Sequence, residues 1–280
     1  MRKYIFLCFV ILTVQSRAQV SGYMGKRLSI GYSNYFSPRF PVVKSILSEF
    51  YSEGSDAVIA SRRSFHFTNS IDVDYILTSK VSLCMSGQFS KMDFCEYGSK
   101  FNLKEYNGSS NDYFDVYYAP PKSQSMDLKT TNLSIGFKFF KRGYDSPFGR
   151  YSKMEIVIVT DKVIMDKNQF YRDDTYYYPL TRGYKIPERP YAYKSFVFAY
   201  TFGKQRVLFD KLVLDYGLRI GFNYSYLITD GNVIASIINL TKEDQNKDIT
   251  LDTRFKRIAN VRAFESQLLN VHLGLRFLAF

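Results

Sequence analysis

The chain has 280 residues, with 38 Lys and Arg against 26 Asp and Glu, for a formal net charge of +12. It contains no Trp but 24 Tyr and 25 Phe, and only 2 His and 3 Cys. That composition allows one large domain and argues against a disulfide framework or a His/Cys metal centre.

At the N-terminus Arg2 and Lys3 precede an apolar run, Tyr4 to Val14. Ser16-Arg17-Ala18 then places small residues three positions and one position before a cut at Gln19. This order of basic, apolar and small residues is that of a secretory signal peptide over 1–18. The apolar run is far short of the roughly 20 residues a spanning helix needs, and no later stretch supplies one. The exported domain, 19–280, is therefore periplasmic, secreted, or inserted in a membrane as strands. Cys8 leaves with the signal. Cys84 and Cys95, on one extended strand, would stand more than about 30 Å apart, too far to bridge. In an exported aromatic protein, a basic balance points to anionic lipid or lipopolysaccharide rather than nucleic acid.

Eight segments alternate between apolar and polar or small residues, the period-2 pattern of strands with two unlike faces. In chain order they are 25–36, 63–77, 81–94, 126–141, 149–163, 191–203, 211–227 and 263–280. The clearest is 211–227, where Leu212, Leu214, Tyr216, Leu218, Ile220, Phe222, Tyr224 and Tyr226 form one face. Phe65, Phe67, Ile71 and Val73 do the same on the second strand, and Phe137 and Phe139 on the fourth. The fifth departs from the pattern, with Val157 and Val159 on the face expected to point inward. Short connections (78–80, 142–148, 204–210) alternate with long ones (37–62, 95–125, 164–190, 228–262). An even strand count with this asymmetry predicts an all-β fold, a closed antiparallel up-and-down transmembrane barrel with short periplasmic turns and long extracellular loops. Within the first long loop, Val42, Val43, Ile46, Leu47, Phe50 and Tyr51 have the spacing of a short amphipathic helix.

The chain ends His-Leu-Gly-Leu-Arg-Phe-Leu-Ala-Phe. With the signal, the alternation and the turn asymmetry, this ending resembles the small eight-stranded outer-membrane barrels of the outer-membrane protein A and X type, across 19–280. The resemblance implies an assembly signal in Gly274, Phe277 and Phe280, read by the barrel-assembly machinery. Phe280 falls out of phase with the apolar face Leu269, Val271, Leu273, Leu275 and Phe277, a departure from the usual ending.

Inward-facing positions carry Arg27, Asp72, Asp74, Lys138, Lys153, Glu155, Asp215, Arg219, His272 and Arg276. An eight-stranded barrel is only wide enough for its own side chains, whereas a water-filled channel needs about 16 strands. These groups are expected to form a packed network of ion pairs rather than a conducting path. Asp72 and Asp74 sit two residues apart, as paired carboxylates for acid–base work can, but no nucleophile stands beside His66 or His272, so catalysis is not expected. The long loops hold Tyr113, Tyr117, Tyr171, Arg172, Tyr176, Tyr177, Tyr178 and Arg182. Such Tyr/Arg surfaces contact lipopolysaccharide, glycan or protein, or else the tyrosines pack strands extended beyond the membrane.

The expected function is thus a monomeric, cofactor-free outer-membrane barrel with a structural, adhesion or binding role through its loops. The alternative is a narrow passage for small solutes, which predicts discrete conductance or a lateral gap in the wall. A lipid-modifying enzyme is the third reading.

Overall fold

The computed structural model describes residues 25–38, 65–95, 98–106, 111–122, 124–141, 146–173, 182–183, 185–186, 188, 190–209, 211–223 and 250–279. The signal segment, the 42–51 segment, Tyr176–Tyr178 and Phe280 lie outside the described residues.

Eight strands close on themselves, each antiparallel to its neighbours: β1 (Leu28–Pro38), β2 (Phe65–Ile76), β3 (Val81–Cys95), β6 (Met126–Phe140), β7 (Gly149–Ile164), β10 (Ala192–Phe209), β11 (Leu212–Asn223) and β12 (Leu269–Leu278). Closure is made by β1 against β12, from Ser29↔Leu278 to Phe36↔Val271. A closed sheet leaves no unpaired edge for hydrocarbon to meet. Burial alternates residue by residue along the strands, as on β6, where Leu133, Ile135, Phe137 and Phe139 are exposed between the buried Asn132, Ser134, Gly136, Lys138 and Phe140. The exposed apolar positions form a continuous outer belt: Ile71 on β2, Met85 and Phe89 on β3, Met154 to Ile158 on β7, Phe196 to Phe202 on β10 and Val271 to Phe277 on β12. No described helix is long and apolar enough to cross a membrane.

Glycines let the wall close where side chains crowd. Gly274 opposes Ser33, and a Cβ there would overlap the Ser33 hydroxyl and the Tyr32 carbonyl. At Gly203 the Tyr151 ring and hydroxyl come so close to the backbone that a Cβ would strike them. Gly203→Ala is accordingly expected to displace Tyr151 and to destabilise the barrel by about 1–3 kcal/mol. Urea titration of the protein refolded into vesicles checks it.

The long-loop end differs from the expected loops. Segments 95–125 and 164–190 carry four strands of their own: β4 (Lys100–Tyr106), β5 (Asn111–Tyr118), β8 (Phe170–Asp173) and β9 (Arg182–Gly183), in one sheet of that order. Cross-strand pairing supplies the backbone partners that isolated loops of this length would lack. Nor is 263–268 the start of the last strand. It completes a helix, α1 (Leu251–Leu268), which runs directly into β12. Thr250 caps its first turn by accepting from the Thr253 amide. Its other end is held from the neighbouring strand β1, where the Ser37 hydroxyl shares its proton among the carbonyls of Glu265, Ser266 and Leu269 at 3.1–3.2 Å. Terminal carbonyls of a helix need such partners. Two further boundaries move: β10 continues to Phe209, so 204–209 is strand rather than turn, and β1 begins at Leu28.

The apolar core sits above the membrane belt. Leu251, Phe255, Ile258 and Ala259 of α1 pack on Phe94, Phe101, Leu103, Val116, Tyr118, Met126, Leu128, Phe170 and Tyr191. Phe255 is its centre, with the rings of Tyr191, Phe94 and Phe101 at 5.1, 5.3 and 5.4 Å.

Candidate functional site: a charged lumen and an outward sheet face

Inward positions of the strands converge on two charged clusters. In the first, Asp215 of β11 accepts from Arg276 Nε at 2.7 Å, the Tyr151 hydroxyl at 2.6 Å and Gln205 Nε2 at 2.9 Å. Lys138 bridges to it at 3.5 Å and to Asp74 at 2.6 Å, and Arg276 reaches Asp74 at 2.8 Å. Asp72 takes hydrogen bonds from Ser33 (2.5 Å) and Ser70 (2.7 Å) and faces Arg276 at 3.4 Å. His272 Nε2 lies 3.3 Å from Asp215, with its ring stacked on Tyr35.

The second cluster lies nearer the helix. Glu155 is held by Lys153 at 2.6 Å and by Arg219 Nε at 2.5 Å, while Arg219 Nη1 donates to Gln267 of α1 at 2.7 Å. Lys138, Lys153, Arg219 and Arg276 thus balance Asp72, Asp74, Glu155 and Asp215, one cation to each anion. All eight are buried. Buried charge persists when it is paired and hydrogen-bonded, and here it is both.

Above the second cluster the lumen turns apolar. Val157, Val159, Val197 and Ala199 pack with Ala263 of α1. The helix then adds buried Arg262, paired with Glu265 at 3.0 Å. Along the axis, ion pairs fill one level of the lumen and the helix the next.

Eight closed strands, apolar toward the outside and polar within, are the architecture of a small outer-membrane barrel.

No family model matches the barrel, and no curated protein matches it. Solved structures to which it is similar include Neisserial surface protein A (8% identity, 90% of this chain and 97% of that one, TM-score 0.34). The N-terminal β-barrel domain of Pseudomonas aeruginosa OprF aligns at 7% identity over 89% and 96%, with TM-score 0.31. The attachment invasion locus protein Ail of Yersinia pestis aligns at 12% over 90% and 97%, with TM-score 0.31.

Of the expected lumen residues, nine lie in the barrel's interior. Arg27 does not: it precedes β1 at the short-turn rim, half-buried, and takes part in none of the lumen's ion pairs among the described residues. Tyr35, Tyr151 and Gln205 belong to the network but escaped the sequence reading, which gathered charges. Each shares the parity of inward residues on its strand. Asp72 and Asp74, the candidate acid–base pair, are buried and held by Ser33, Ser70, Arg276 and Lys138.

The expected contact residues separate into two groups. Tyr117 of β5 and Tyr171 of β8 are register partners on the outward face of the extension sheet, and Lys100 of β4 pairs with Tyr117 from the other side. Lys100 forms an ion pair with Asp115 at 2.6 Å and lies 5.7 Å from the Tyr117 ring centre; Asn102 donates to the same Asp115 at 3.1 Å. The hydrogen bond to Asp115 raises the Lys100 ammonium above its ordinary range. Tyr113 is 59% exposed on this face. Arg172 instead aligns with buried Val116, and its guanidinium covers the Phe114 ring at 3.9 Å. Arg182 lies on β9, paired with Arg172. Tyr118, Tyr191 and Tyr193 are buried, so part of the loops' tyrosine packs the extension instead of facing outward.

Proposed function

We propose that the protein is a non-enzymatic outer-membrane barrel that binds a saccharide of the cell surface or its surroundings through the extension sheet. The observation that carries this reading is the row Lys100–Tyr117–Tyr171 with Asn102 and Asp115 beside it. Two adjacent tyrosines offer flat apolar faces with polar tips, and the flanking amide, ammonium and carboxylate suit a ligand dense in hydroxyls. The core beneath, clamped by α1, holds the row rigid, which lowers the cost of binding. The closed lumen supports a role at the surface rather than along the axis. In this reading residues 1–18 direct export, Gly274, Phe277 and Phe280 are read by the assembly machinery, and the barrel works as a monomer in lipid and lipopolysaccharide.

Replacing Tyr117 and Tyr171 together by Ala is expected to weaken binding to immobilised lipopolysaccharide or arrayed glycans about tenfold or more, the loss of two ring contacts at about 0.5–1.5 kcal/mol each. Unchanged binding in the double variant would refute the assignment of this face. Discrete single-channel steps from the unmodified protein in planar bilayers would refute the closed lumen.

A further inference from the structure

We infer that the outward rim at the short-turn end of β6, β7 and β10 holds the phosphate of an anionic glycerophospholipid of the periplasmic leaflet. The site is a row of cations in ladder register. Lys141 follows β6, and its amide donates to the Arg150 carbonyl at 3.0 Å. Arg150 of β7 is in turn the register partner of Lys204 on β10, and Arg206 stands two residues further along that strand on the same face. Adjacent strands lie about 4.8 Å apart, so the backbones carrying three cations fall within about 10 Å across the wall. Like charges placed directly opposite one another destabilise a sheet. Among the described residues, none of these four side chains has an ion pair or a hydrogen bond. The described residues of this rim (25–28, 76–81, 139–141, 146–150, 203–209 and 211–212) include no Asp or Glu. The lumen's charges balance one another, so this row is surplus charge that awaits a counterpart from outside the chain.

The depth of the row selects the occupant. Two residues nearer the membrane centre, the same three strands present Phe139, Ser152 and Phe202 in register. Phe139 and Phe202 are 41% and 54% exposed and belong to the apolar belt. The ammonium and guanidinium groups therefore stand about 7 Å beyond it along the strands, where acyl chains end and phosphates begin. Acyl chains rest on the two aromatic rings, and the ester phosphate meets Arg150 between two lysines. A guanidinium grips two phosphate oxygens at once, while lysine stems lie along the wall with their charges at the interface. A zwitterionic headgroup brings its own cation against the row and is held less well. An acidic protein or a cell-wall polymer would need cations facing away from the membrane, and these continue the lipid-facing wall. The site lies at the opposite end of the barrel from the extension sheet and does not depend on it.

The test exploits the absence of Trp from the chain. Phe139→Trp places a single reporter beside the row, and Leu273→Trp places one on β12, whose outward residues are all apolar. Each is refolded into mixed vesicles of phosphatidylglycerol and phosphatidylcholine with bromine on the acyl chains of one lipid at a time. Quenching then measures which lipid occupies the contact. At Phe139→Trp phosphatidylglycerol is expected to be preferred about fivefold, and at Leu273→Trp less than about twofold. Lys141→Gln, Arg150→Gln and Lys204→Gln together should bring the first ratio down to the second. Lys141→Arg with Lys204→Arg should preserve it, and heat-modifiable gel migration shows that each variant has folded. Should the triple variant not fold, Arg150→Gln alone is expected to lower the ratio about twofold, and an unchanged ratio there counts against the site. Equal ratios at the two reporters would overturn the inference, because they report only the attraction of a basic protein for anionic lipid. A preference that survives the triple variant overturns it as well. So does no preference at Phe139→Trp, the result expected if Asp145 or Asp210 of the adjoining turns already neutralises the row. Retention on isolated peptidoglycan that the triple variant loses, without lipid preference, would hand the row to the cell wall instead.

Discussion

Replacing Asp215 with Ala is expected to destabilise the barrel by about 3–5 kcal/mol, the cost of breaking a buried ion pair from one side. Asp215 receives Arg276, Lys138, Tyr151, Gln205 and His272. Without it the lumen holds one cation in excess, and Arg276 and Tyr151 lose their closest acceptor. Urea titrations in vesicles, read by heat-modifiable gel migration, measure the loss. Removing one charge of each sign should be milder, because the balance is restored, Asp74 keeps Lys138 and Asp72 keeps the Ser33 and Ser70 hydroxyls. Asp215→Leu combined with Arg276→Met is expected to recover most of the stability, and a double variant as unstable as Asp215→Ala would show that the network does not act as paired charge.

Phe255→Ala is the second large effect, and it falls on a different part of the molecule. Phe255 is fully buried and touches aromatic rings from β3, β4, β8 and the segment before β10. Truncating such a side chain costs about 3–5 kcal/mol. The barrel's own ladders and ion pairs are untouched, so the expected result is local loosening of α1 and the extension sheet with the barrel intact. Limited proteolysis should then cut within 98–122 and 165–190 while heat-modifiable migration persists. Loss of both together would show that cap and barrel fold as one unit.

The barrel was legible because lipid as solvent imposes strict alternation, and each strand carries it independently. What the alternation could not disclose was the extension, since β4 and β5 are short and pack against one another rather than against lipid. The helix was hidden for another reason. Its lower half, with Asn260, Arg262, Glu265, Ser266 and Gln267, is buried against polar lumen, so it lacks the apolar stripe of a helix on an ordinary core. One trace of it was present in the strands. Val157 and Val159 break the polar rule of the inner face because Ala263 lies against them. Likewise Tyr35 and Tyr151 stood at inward parity among charges, and the Tyr35 ring and the Tyr151 hydroxyl complete the network. Arg27 shows the limit of that argument, because parity has no meaning once the residue precedes the strand.

The direct passage of α1 into β12 has a consequence for the order of assembly. The helix's C-terminal carbonyls are met by Ser37, which belongs to the first strand, while the helix is covalently tied to the last. These partners come together only when the two ends of the sheet meet, across more than two hundred residues of sequence. Until that moment the C-terminal end of the helix lacks its Ser37 partner, while its first turns can already rest on the core around Phe255. Fixing of the helix's lower end and completion of the cylinder are therefore a single event, dependent on the most non-local contact in the molecule.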